Sequence, residues 1–138
     1  GNIPEVTISK TPQLPKNHLQ SSTFPEVLKL EQEASKKIYP TANYTDEDWR
    51  QYRYTYYQLI EKVDAEIGKI LNAIDDLKLR ENTLIMFTSD HGDGNASHGW
   101  NQKTALIEES IRVPFIASYK DKIKGTQVSN TLVSNGLD

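Results

Sequence analysis

The chain of 138 residues carries 16 Lys and Arg against 19 Asp and Glu, a formal charge of −3, and contains no cysteine. That length supports the core of one domain but not of two, and the mild acidity supplies no basic stripe to neutralise nucleic-acid phosphates. Within these residues the lack of cysteine excludes a disulfide framework, a thiolate metal site and a cysteine nucleophile.

A hydrophobic fraction of 36% with 25% charged residues reads as a soluble globular chain. The longest apolar run, residues 84–87, is far too short to span a bilayer, and no export-type apolar region opens the sequence. Residues 1–45 hold five of the six prolines, each removing a backbone donor and pushing its predecessor towards extended conformations. They read as an irregular strap laid over something else. Residues 25–37 suit a short helix, with Val27, Leu28, Leu30 and Ala34 on one side. Gly1 is compatible with an expression scar.

Residues 46–78 give the strongest periodic signal. Trp49, Tyr52, Tyr56, Leu59, Val63, Ile67, Ile70, Ile74 and Leu77 recur at spacings of three and four, one stripe along an α-helix. Thr45 suits the N-cap, and Asp46, Glu47 and Asp48 set negative charge against the positive end of the helix dipole. The stripe predicts a long helix packed against a sheet. Residues 83–88 form a short apolar run suited to a strand buried on both faces, as in a parallel sheet covered by helices. Residues 112–118 read as another strand, and residues 128–133 as a weaker third.

Between these strands lies a glycine-rich polar segment, residues 89–102. In open α/β sheets ligands bind beyond the carboxyl ends of strands, which is where this segment would sit. It begins Ser89-Asp90-His91-Gly92-Asp93-Gly94. Asp90 offers a carboxylate and His91 an imidazole just off a strand, a pair that suits a divalent cation but does not complete its shell. The same residues make an ordinary surface turn, and on residue types alone the turn is favoured. An EF-hand loop starting at Asp90 fails at Gly92, Asn95 and Asn101. His91 and His98 lack the i, i+4 spacing of helical zinc proteases. Lys103 could set a positive charge on an anionic substrate, although a single lysine is far more often solvated surface. His98 and Trp100, taken alone, read as loop-packing residues.

Taken in order, three stretches resemble the type I sulfatase family, sulfuric ester hydrolases of the alkaline phosphatase-like superfamily. They are Asn82-Thr83-Leu-Ile-Met-Phe-Thr-Ser-Asp-His-Gly-Asp93, then His98-Gly-Trp-Asn-Gln-Lys103, then Glu108-Glu109-Ser110-Ile111-Arg112-Val113-Pro114. The upstream Tyr56-Tyr57 and Val63-Asp64-Ala65-Glu66-Ile67-Gly68 fit as well, and the closing Val133-Ser134-Asn135-Gly136-Leu137-Asp138 is similar to the start of a further family segment. The resemblance implies an α/β fold, part of an alkaline phosphatase-like sandwich whose mainly parallel sheet is flanked by helices. On that reading residues 1–45 are a proline-rich strap and residues 46–138 part of a catalytic domain.

By position, the resemblance implies that Asp90 and His91 are two ligands of a Ca²⁺ site, with Mg²⁺ as the other candidate cation. His91 stands where many members have Asn. Lys103 falls on the lysine that contacts substrate sulfate, and His98 on a histidine beside the substrate whose role is less defined. Glu109, Arg112 and Pro114 match structural positions. The Cys (or Ser)-x-Pro-x-Arg motif that yields the formylglycine nucleophile has no match here, and the paired acidic ligands of the family's N-terminal region have none either. No catalytic nucleophile is therefore assigned within this chain, which reads as an internal piece of a longer enzyme, inactive alone and weak in Ca²⁺ binding. A phosphodiesterase or phosphonate monoester hydrolase of the same superfamily, or a non-catalytic binding module, are the rival readings.

The implied partner is a sulfated carbohydrate or another sulfate ester, with no nucleic acid and no membrane span. Bare sheet edges in a section of a domain favour self-association. The family resemblance implies a periplasmic or secreted parent. Sequons stand at Asn43 and Asn95, and a glycan on the second would obstruct the proposed site, which leans against a eukaryotic secretory origin.

Overall fold

The computed structural model describes residues 6–125 and 127–129. In chain order its regular elements are α1 (Glu26–Ile38), α2 (Asp46–Asp76), β1 (Ile85–Thr88), α3 (Glu108–Ile111) and β2 (Phe115–Ser118). Short 3₁₀ turns occur at Ile8–Lys10, Arg80–Asn82 and Ser97–Gly99.

Helix α2 starts where its local chemistry dictates. Thr45 Oγ1 accepts the Asp48 backbone N–H at 3.2 Å, while Asp48 Oδ2 accepts the Thr45 N–H at 2.8 Å. This reciprocal box satisfies two donors that a helix start leaves without partners. The helix ends at Asp76, and Lys78 turns the chain out with a left-handed φ of 56°.

The strap of residues 6–25 meets α2 through His18, whose ring edges Trp49, and through Arg50. Arg50 donates to the carbonyls of Ile8 (2.7 Å), Thr11 (3.0 Å) and Pro12 (3.1 Å), acceptors that no regular element provides for. The expected short helix is present as α1, with Pro25 at its N-cap. Its expected face is not the one that docks. Val27 and Leu30 are 69% and 65% exposed, whereas Gln32 and Ser35 are buried. Helix α1 is held through polar bonds, since Gln32 Nε2 donates to the carbonyls of His98 and Gly99, each at 2.9 Å. Of the expected apolar face, Leu28 packs on the core.

That core is small: Phe24, Trp100, Ala105 and Ile107, with Leu28 against them. It lies between the strap, the start of α1 and the loop that follows β1. The N-terminal third of α2 shares this side, with Trp49 buried and ringed by His18, Tyr44 and Tyr52 at centroid distances of 5.8, 5.1 and 5.7 Å. Further along α2 the stripe is open, with Leu59, Val63, Ile70 and Leu77 all at least half exposed. A helix of 31 residues runs about 46 Å, and four-residue strands of about 13 Å cannot cover it.

Strands β1 and β2 pair antiparallel, from Ile85 opposite Ser118 to Thr88 opposite Phe115. The burial expected for residues 83–88 is not met, as Met86 and Phe87 are 58% and 40% exposed. The connection explains the direction: parallel neighbours need a crossover, normally a helix of several turns, and α3 has four residues. Val128 and Ser129 are in no strand. The remainder of that expected strand, Gly1 and the closing segment from Val133 lie outside the described residues. Among the described residues no helix is long and apolar enough to cross a membrane.

Candidate functional site

The loop after β1 is built on backbone approaches that only glycine permits. Gly92 donates its N–H to the Ser110 carbonyl at 2.8 Å, and a Cβ on Gly92 would fall 1.9 Å from the Glu109 carbonyl oxygen. At Gly94 a Cβ would meet the Trp100 carbonyl oxygen at 2.7 Å. The loop therefore lies flush against α3 and against its own returning arm.

Four non-glycine residues of this loop are left-handed: Asn95 (φ 43°), Ala96 (74°), His98 (55°) and Gln102 (71°). Each costs energy that the surroundings must supply. Asp93 is the chief support. Its Oδ1 accepts the Asn95 N–H at 2.7 Å and the Tyr52 hydroxyl at 3.0 Å, and its Oδ2 accepts the Gln102 N–H at 3.1 Å. Gly94 N–H donates to the Gln102 carbonyl at 2.9 Å, and Arg53 of α2 donates to the Asn95 carbonyl at 2.7 Å. Burial, then the charge of Asp93 and its hydrogen bond, hold the Tyr52 phenol far above its usual range, so it remains a donor.

This frame brings Asp90, His91 and Lys103 together at an exposed edge. His91 Nδ1 lies 2.7 Å from the Gly92 carbonyl oxygen, so that nitrogen carries the proton and donates. Nε2 then presents its lone pair, and Lys103 Nζ sits 2.5 Å from it. Asp90 Oδ2 is 3.3 Å from the same nitrogen. Burial works to raise the Asp90 carboxyl, but the His91 backbone N–H, the neighbouring imidazole and the Lys103 charge outweigh it, and the group lies below its ordinary value. Asp90 is thus an anionic oxygen donor beside the His91 imidazole.

His98 belongs to a different, half-buried cluster. Its ring stacks on Phe24 at 5.2 Å, and its Nε2 accepts from Asn17 Nδ2 at 3.3 Å. Asn17 Nδ2 also donates to Glu109 Oε1 at 2.7 Å. Burial raises the Glu109 carboxyl, but the Asn17 bond and further hydrogen bonds prevail and lower it. His98 also borders a groove of about 560 Å³ with His18, Gln32, Lys36, Tyr44 and Trp49, and none of Asp90, His91 or Lys103 lines that groove.

The donor set of Asp90 and His91 is chemically compatible with part of a cation site but does not complete one. A ligating histidine characteristically donates its other ring N–H to a carbonyl, as His91 does to Gly92. Asp90 adds a hard oxygen at the same point. Among the described residues no group of three or more His, Asp or Glu is placed to hold a metal ion, so Asp90 and His91 are at most two candidate ligands of a larger shell.

Sequence reasoning assigned no role to Asn17, Gln32, Tyr52 or Gln102, and gave Asp93 none in holding the loop. Tyr52 lay in the helical stripe and was counted as apolar. For Asn17 and Gln32 the partners lie 92 and 66 residues away, and no local signal announces them.

Comparisons with known proteins bear on the family and the fold. The sequence pattern of the family described as Sulfatase matches residues 9–136. The chain is 34% identical over 87 residues to an N-acetylglucosamine-6-O-sulfatase of Bacteroides thetaiotaomicron, covering 63% of this chain and 16% of that protein. It is 41% identical over 78 residues to an ulvan-active sulfatase of Formosa agariphila, covering 54% and 15%. With the human iduronate 2-sulfatase it shares 37% identity over 67 residues, covering 49% and 12%. The solved structure of a 2-O GAG sulfatase superposes with a TM-score of 0.72 at 23% identity, covering 86% of this chain and 26% of that one. The α/β fold expected from the sequence is therefore that of known sulfatases, and the chain spans about a sixth of the first two of these relatives. With a family match over nearly its whole length, this chain belongs to the sulfatase family.

Proposed function

We propose that this chain is the section of a sulfatase that holds one side of the cation and sulfate site, and that the complete polypeptide hydrolyses sulfate esters. The observation that supports this most directly is the convergence of Lys103 Nζ and Asp90 Oδ2 on His91 Nε2. Asp90 and His91 would hold a divalent cation, proposed as Ca²⁺ from the family resemblance with Mg²⁺ as the other candidate, both of which accept a carboxylate oxygen. When bound, the cation polarises sulfate oxygens. Lys103 places an ammonium against the negative charge that grows on those oxygens. The nucleophile, and the remaining ligands, come from outside these residues.

The chain alone would then lack sulfatase activity and bind Ca²⁺ weakly, because two ligands do not fill a shell of six to eight oxygens. The relatives' names include N-acetylglucosamine, ulvan and iduronate, which supports a sulfated carbohydrate as substrate. A periplasmic or secreted site of action is proposed with it.

The test is a comparison of an aryl sulfate with an aryl phosphodiester as substrates of the complete polypeptide. Preference for the sulfate supports the reading. Preference for the phosphodiester would replace it with the phosphodiesterase alternative of the same superfamily.

A further inference from the structure

The loop holds a device that neither cation nor sulfate chemistry accounts for. Lys103 follows directly on Gln102, a non-glycine residue with φ 71°, so the direction of the lysine depends on a backbone conformation that an L side chain disfavours. Both backbone polar groups of Gln102 are taken up. Its N–H goes to Asp93 Oδ2 and its carbonyl to Gly94 N–H. The other oxygen of Asp93 is held by Tyr52 from α2 and by the Asn95 N–H. The carboxylate thus ties together α2, the outgoing arm of the loop two residues after His91, and the returning arm one residue before Lys103.

We propose that Asp93, backed by Tyr52, is a positioning residue that holds Gln102 left-handed and thereby keeps Lys103 Nζ within reach of His91 Nε2 and Asp90 Oδ2. The importance of that placement rests on the role proposed above for Lys103; the placement itself does not. A carboxylate is suited to this task because it accepts on both oxygens. An isosteric amide must turn a donor towards the Gln102 N–H, or towards the Tyr52 hydroxyl and the Asn95 N–H.

The test uses NMR on the 138-residue chain, reading the nuclear Overhauser contact between the His91 ring and the Lys103 ε-methylene. The contact is expected in the native chain and lost in Asp93→Asn. It is expected to return in Asp93→Asn combined with Gln102→Gly, because glycine adopts the left-handed conformation without strain. Survival of the contact in Asp93→Asn would overturn the proposal. Loss without rescue would overturn it too, since Asp93 would then not act through Gln102. Should Asp93→Asn fail to fold, Tyr52→Phe removes one of the three bonds and is expected to weaken the contact, and an unchanged contact there would count against the proposal. In the complete polypeptide, loss of the contact with sulfate-ester hydrolysis intact would sink the role proposed for Lys103 while supporting the positioning by Asp93.

Discussion

The two ends of this molecule are built differently. Around Trp100 the strap, α1, α3 and the loop after β1 meet in a small apolar core tied by long-range polar bonds, from Gln32 to the His98 and Gly99 carbonyls and from Asn17 to Glu109. At the other end β1, β2 and the outer two thirds of α2 present Met86, Ile116, Val63 and Ile70 largely to solvent. Order in the loop therefore comes from Asp93 within it, from the start of α2 and from the strap, although the loop is chemically an extension of the strand. The residues that would do chemistry, Asp90, His91 and Lys103, stand at the seam between the two.

Replacing Trp100 strikes the packed end hardest. The side chain is 1% exposed, and Trp100→Ala is expected to cost about 3–5 kcal/mol, a large share of the stability of a domain this size. Urea unfolding followed by far-UV dichroism reads it. A cost below about 1 kcal/mol would mean that the core around Trp100 does not hold the loop.

Asn17→Ala comes next. It strips the half-buried Glu109 carboxylate and His98 Nε2 of one shared donor, and about 1–3 kcal/mol should be lost. The same unfolding measurement decides it, and a neutral result would leave the strap as mere covering.

The capping box of α2 gives a pH dependence with a definite sign. The Thr45 backbone and side-chain hydrogen bonds hold the Asp48 carboxyl below its ordinary value of 3.8. A carboxyl lowered on folding contributes its stability in full above that value, and loses it as pH falls through the lower, folded one. Helicity should hold at pH 5 and decline only below about pH 4. In Asp48→Asn this acid-dependent part should be absent.

At the bare end the expected effect is smallest. Met86→Ser changes a side chain that is 58% exposed, and stability should move by no more than about 0.5 kcal/mol. A loss of 2 kcal/mol or more would show that the sheet is packed in solution, for instance by self-association, and would remove the contrast.

How far the sequence could be read follows from the range of each interaction. The start of α2 was legible because Thr45 and Asp48 are three residues apart and the box is local. The strap was legible as irregular through its prolines, but its attachment through Arg50 and Asn17 spans 38 to 92 residues and leaves no periodic trace. The face of α1 was misread, because Val27 and Leu30 look like a core face while the docking is done by Gln32. Left-handed backbone at Asn95, Ala96, His98 and Gln102 could not be foreseen, since none is glycine, and at Asn95 and Gln102 the compensation comes from the Asp93 side chain. Asp90, His91 and Lys103 were found by resemblance; residue types alone favoured a surface turn.

The most direct test of the account is sulfate-ester hydrolysis by the complete polypeptide carrying Asp90→Asn or Lys103→Ala, compared with the unchanged protein. Each substitution is predicted to lower kcat/KM by about 10²–10³-fold while leaving the unfolding transition in place, since both side chains are exposed. Undiminished hydrolysis in either variant would contradict the assignment of this edge as one side of a sulfatase active site.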